Sequence, residues 1–263
     1  MNIILMILIL LVTAVLLYMT IYKQKTTPLQ TAPLPEEYKR ILQEQVSFYQ
    51  QLDTVKKRSF EERMQQFLAG VKITGVKTAV EDIDRVLIAA SAIIPIFNFD
   101  GWQYINLHEI LLYPDSFNHD FEQQGVDRNI LGMVGTGAMN NMMILSQFEL
   151  RQAFSNRTAK SNTAIHEFVH LVDKTDGSID GVPSFFLHKQ YIVPWLQRMR
   201  EEIELIKEDQ SDIDSYGASN ESEFFAVVSE YFFERPELLQ QKHPELYALL
   251  VKIFDPKTRI GTK

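Results

Sequence analysis

Two histidines four residues apart, His166 and His170, form the run HEFVH with Glu167 beside the first. On a helix, positions i and i+4 share a face, so both imidazoles can reach one metal ion. Glu167 falls to the side of that face, where its carboxylate can hold a water and take its proton. The chemistry open to such a set is zinc-assisted hydrolysis.

A hydrolytic zinc site needs a third protein ligand and an open position. The chain has no cysteine, so that ligand must be a histidine or a carboxylate. His108, His119, His188 and His243 stand in no metal-type spacing. The stronger candidates are Glu223 and Glu230, two turns apart on one helix face within EFFAVVSEYFF. A carboxylate inside so apolar a run needs a partner, and a zinc ion is one. Glu223 lies near the start of its helix, next to a loop, which suits a ligand reaching across a cleft.

The elements that must position these groups follow from caps and periodicity. Ser161 or Asn162 is placed to cap the helix carrying HEFVH. Asn220 opens the helix of Glu223, which runs through Phe233. Pro35 starts a helical stretch to about Gln51, and Ser59 with Glu62 has capping-box spacing for a second helix. The same spacing at Thr78 and Glu81 precedes a long apolar core helix, Ala79 to Ile94, ended or bent by Pro95. Val71–Val76, Glu109–Tyr113 and Met142–Leu145 read as strands, and residues 116–137 as loop. Pro183 opens a helical stretch that Pro194 interrupts, and Pro236 opens the last helix. The class is α+β, mostly helical with a small sheet.

Ile3–Tyr22 is uncharged and almost wholly apolar. At about 1.5 Å per residue it matches a hydrocarbon core of about 30 Å. No basic residue precedes it and no Ala-x-Ala follows, so a retained anchor is favoured over a signal peptide. Lys23, Lys25, Lys39 and Arg40 lie beyond it, and the positive-inside rule puts the body of the protein in the cytoplasm, on a single pass through the cell inner membrane. The organisation is an anchor (1–22), a proline-containing linker (23–34), one domain (35–255) and a tail (256–263). A net charge of −8 argues against a nucleic-acid surface.

HEFVHLVD, followed by SYGASNESEFFAVVSEYFF, resembles the Mlc titration factor A family of zinc-dependent peptidases, and both blocks also look like the metalloprotease domain of anthrax lethal factor. The similarity covers roughly residues 75 to 245. It implies a zincin-like fold and a zinc-dependent metallopeptidase, with an aminopeptidase as one form. The family's Tyr-x6-Glu spacing falls on Tyr216 and Glu223, which selects Glu223 over Glu230 beside His166 and His170 as ligands. It implies Glu167 as general base and Tyr216 as hydroxyl donor to the oxyanion. Asp173, where the family also has an Asp, is expected to hold a ligand histidine ahead of Glu230. The edge of a strand is expected to align a peptide substrate, and Asn141–Leu145 is the candidate because it precedes the active-site helix. The family's Trp- and Gly-rich stretch before its Leu-Ser pair is here GAMNNMMI, before Leu145 and Ser146. The family name also implies a second role, sequestration of a transcription repressor. Intramembrane proteolysis is disfavoured, since only one span is long enough to cross a bilayer.

Overall fold

A computed structural model describes Thr13 and residues 33–118, 120–123, 128–135 and 139–255. The chain divides into two units, Met1–Ala32 and Pro33–Lys263. Apart from Thr13, the expected anchor and nearly all of the linker lie outside the described residues, as do His119 and the tail. Among the described residues no helix is long and apolar enough to cross a membrane.

Helices α1 (Glu36–Gln45), α2 (Ser47–Gln50) and α3 (Thr54–Gly70) lead into strand β1 (Lys72–Gly75) and helix α4 (Asp82–Ile96). Strands β2 (Glu109–Tyr113), β3 (Gly132–Val134) and β4 (Met142–Ser146) follow, then α5 (Gln147–Ser155) and α6 (Thr163–Asp173). The rest is helical: α7 (Lys189–Lys207), α8 (Glu221–Glu234), α9 (Pro236–Lys242) and α10 (Pro244–Phe254). The class is α+β, as expected.

Every residue of α4 from Val86 to Ile96 is buried, so this helix is central. It packs against α1, α3, α5 and α6. Near its start the buried Asp84 accepts two hydrogen bonds from the Arg151 guanidinium, at 2.7 and 2.9 Å, and one from Gln147 at 2.8 Å. That fork ties α4 to α5 and satisfies a charge that would otherwise be costly to bury. The sheet order is β1-β2-β4-β3, with the first three strands parallel and β3 antiparallel. Helix α6 lies between α4 and α8 and also contacts β3.

Several local expectations are corrected. Asp53, not Ser59, caps α3, accepting from the Lys56 N–H at 2.8 Å. The capping box of α4 is Glu81 with Asp84, because the Thr78 hydroxyl donates to Gln147 instead. Pro183 opens only a turn. Helix α7 starts at Lys189 and runs through Pro194, which is exposed near its start, where solvent can reach the carbonyl left without its N–H. The last helix is two helices broken at His243, since Pro244 disfavours helical backbone before it. Residues 116–137 contain β3, three residues long and too short to show alternation. Asn141–Leu145 offers no free edge: β4 is paired on both sides, and β3 is the outer strand.

Candidate metal centre

Asn162 caps α6, its side-chain oxygen accepting from the Ile165 N–H at 3.2 Å. The helix therefore starts one turn before His166 and puts both histidines on the face turned to α8. Asn220 caps α8 in the same way, accepting from the Glu223 N–H at 3.0 Å, and so fixes Glu223 in the first turn. Glu223 Oε2 lies 2.8 Å from His166 Nε2 and 3.4 Å from His170 Nε2. One ligand atom from each of the three residues can be chosen with all of them within 4.8 Å of one another. Ligand atoms held tetrahedrally at about 2.0–2.1 Å from zinc stand about 3.3 Å apart, so the donor set fits a catalytic zinc ion in type and spacing.

Glu230 lies two turns further along α8. Its Oε1 is 2.6 Å from His166 Nδ1, and its Oε2 accepts from the Asn162 N–H. With Nδ1–H donating to Glu230, Nε2 is left as the ligand nitrogen. Glu234 extends the chain, accepting from the Asn162 side-chain amide at 2.8 Å.

Glu167 is buried beside strand β3. A Cβ on Gly132 would lie 2.8 Å from the Glu167 Oε1, so only a glycine leaves that carboxylate its place. Tyr216 sits on the short turn Ser215–Ala218, its own N–H donating to the capping Asp214 side chain at 2.9 Å. Its ring centroid is 5.9 Å from that of His166 and its side chain is half exposed, open to the same cleft. The cleft has a volume of about 660 Å³, and Ile130, Leu131, Gly132, Glu167 and Tyr216 are among the residues that line it.

A family described as Glucose-regulated metallo-peptidase M90 matches residues 20–255. The chain belongs to that family. An uncharacterized protein of Synechocystis sp. is 30% identical over 237 residues, 84% of each chain. Mlc titration factor A of Pectobacterium atrosepticum is 31% identical over 195 residues, 68% of this chain and 71% of the relative. The protein of that name from Escherichia coli O7:K1 is 32% identical over 167 residues, 58% and 62% of the two chains.

In this member of the M90 family the charges of the site act strongly on one another. Burial works against charge on His166, but Glu230 and Glu223 outweigh it and hold the imidazole pKa well above its usual value. Burial pushes the Glu167 carboxyl up, while the two imidazoles pull it down. For Glu223 burial is overcome by hydrogen bonds from both histidines, which bring it to about 2. Burial and then the neighbouring Glu223 raise the Tyr216 hydroxyl.

The structure brings His166, Glu167, His170, Glu223 and Tyr216 together, and corrects the expectation for Asp173. Asp173 Oδ2 accepts from the Gly181 N–H at 2.8 Å, and Oδ1 has no partner among the described residues. The carboxylate placed on Nδ1 of His166 is Glu230. The residue that sequence reasoning passed over is Gly132, visible there only as one of several glycines near the strands.

Proposed function

We propose that this M90 protein is a zinc-dependent metallopeptidase with a zincin-like fold, His166, His170 and Glu223 holding the ion. The observation that carries this reading is the convergence of two imidazoles and one carboxylate beside a buried, separate Glu167. The chemistry a zinc ion supplies in such a site is polarisation of a carbonyl and acidification of a water to a pKa of about 7. Glu167 takes the proton of the attacking water and passes it to the leaving amine. Tyr216 donates its hydroxyl to the oxygen of the scissile carbonyl as that oxygen gains charge. The outer edge of β3 holds the substrate backbone by strand addition, with Gly132 bringing the main chain close to the base. Ile3–Tyr22 anchors the chain in the inner membrane with the domain on the cytoplasmic side. An aminopeptidase is one form of the activity.

Purified full-length chain should contain about one zinc per molecule and cleave peptides. Glu167→Ala should keep the metal and lose at least about 10²-fold in rate. A folded, metal-free and inactive protein would sink the proposal.

A second reading is favoured by the name of the Pectobacterium and Escherichia relatives: a module that binds a protein partner, such as a transcription repressor, without cutting it. Binding that survives both Glu167→Ala and zinc removal would support it.

A further inference from the structure

The cleft beside the zinc ligands is lined by charged groups that can be matched one against another. Asp212 is taken up by Lys160 at 3.2 Å, Lys242 at 3.0 Å, His243 at 2.8 Å and the Tyr231 hydroxyl at 2.9 Å. Lys160 is thereby engaged, and its ammonium also lies 5.0 Å from the Tyr231 ring centroid. Asp214 caps the turn of Tyr216. Glu230 and Glu167 belong to the centre already described. Glu149 is left over.

Glu149 stands in the first turn of α5, half-buried, with its backbone N–H held by the Ser146 hydroxyl at 3.2 Å. It lines the same cleft as Ile130–Gly132 and Glu167. No cation among the described residues pairs with its carboxylate. Its neighbour Arg151 is turned to Asp84 and Glu81. The charged group that acts on Glu149 is another acid, Asp115, which together with burial raises its carboxyl pKa. A first-turn glutamate is ordinary where it faces water, because the helix dipole favours it. Here it is half-buried in a cleft, Asp115 adds a like charge, and no cation of the described residues pairs with it.

We infer that Glu149 is a specificity-determining residue that receives a cationic nitrogen of the peptide substrate. That nitrogen is the side chain of a lysine or arginine near the scissile bond, or a free amino terminus. This assignment rests on the peptidase reading above. A peptide laid along the outer edge of β3 passes Gly132 and the base, and Glu149 meets it within the same cleft. The contact is a charge-assisted hydrogen bond, strengthened by partial exclusion of water.

The test uses the full chain, loaded with zinc, and a peptide panel. The peptides carry lysine, norleucine or glutamate at each position around the cut, with the amino terminus free or acetylated. Wild type should cleave the cationic members about tenfold better in kcat/KM than the neutral ones. Glu149→Gln should bring that ratio close to one while zinc content and unfolding temperature stay unchanged, and Glu149→Lys should favour the glutamate peptides. Dependence on lysine names a side chain as the source, and dependence on the free terminus names the amine. A charge preference that survives Glu149→Gln, or no such preference in wild type, would overturn the assignment and leave the peptidase reading standing. No cleavage of any peptide would overturn both.

Discussion

Two buried carboxylates flank the histidine pair, and they do different work. Glu230, at the His166 side, uses both oxygens, one on the imidazole and one on the Asn162 N–H. Asp173, one turn beyond His170, uses one oxygen, and on a loop rather than a ring. Among the described residues no carboxylate is placed against the other nitrogen of His170. The Gly181 that Asp173 holds has φ +75, and a Cβ there would lie 2.2 Å from the Glu221 carbonyl oxygen. The Trp195 indole donates to the Gly181 carbonyl at 2.7 Å. Asp173 thus fastens a return loop against the start of α8, the turn that carries Glu223. One acid orients an imidazole of the candidate centre, and the other fixes the backbone beside its carboxylate. Burial and proximity in sequence do not separate these roles; the target of each oxygen does.

That contrast can be broken in order of expected effect. Tyr216 leans on the ring that Glu230 orients, and Tyr216→Phe should lower kcat by about 10²–10³ with little change in zinc content. A variant as fast as wild type would remove Tyr216 from the mechanism. Glu230→Ala should weaken zinc binding by about 10- to 100-fold, measured by competition with a chromophoric chelator, because His166 loses its acceptor and Asn162 its partner. Asp173→Ala removes the acceptor of the Gly181 N–H; it should leave zinc affinity within about twofold and instead lower stability by about 1–3 kcal/mol, read from thermal unfolding. Equal losses of affinity in these two variants would erase the distinction between them.

The smallest effect lies away from both acids. His243 is held by Glu202 and Asp212, whose hydrogen bonds raise its pKa against the opposing pull of burial. A raised folded-state pKa gives stability that is fully present below the unfolded value of about 6.5 and lost as pH rises through the folded value. Denaturant unfolding of wild type should show that decline, and His243→Gln should lack it.

The parts of the site legible in the sequence are those set by local spacing. HEFVH, the Asn162 cap and the Asn220 cap are each short-range patterns with one structural solution. Tyr216 and Glu223 came from the family's spacing, and the turn and helix that carry them are again local. Glu230 was legible as a carboxylate in an apolar run that needed a partner. The identity of the partner was not, because 64 residues separate it from His166. Asp173 misled for the opposite reason: closeness along the helix suggested a contact that side-chain direction does not make. Strand β3 was hidden because three residues, the first of them a glycine, carry no periodicity.

Gly132 makes the wall beside Glu167 out of main chain. Its clearance from Glu167 is a dimension of the fold, as fixed as the bore of a gauge. An extended chain drawn along β3 meets, at that point, only amides and a Cα hydrogen. On the proposed peptidase reading, such a slot would treat every peptide alike at that point, and discrimination among sequences would fall to the side chains lining the rest of the cleft.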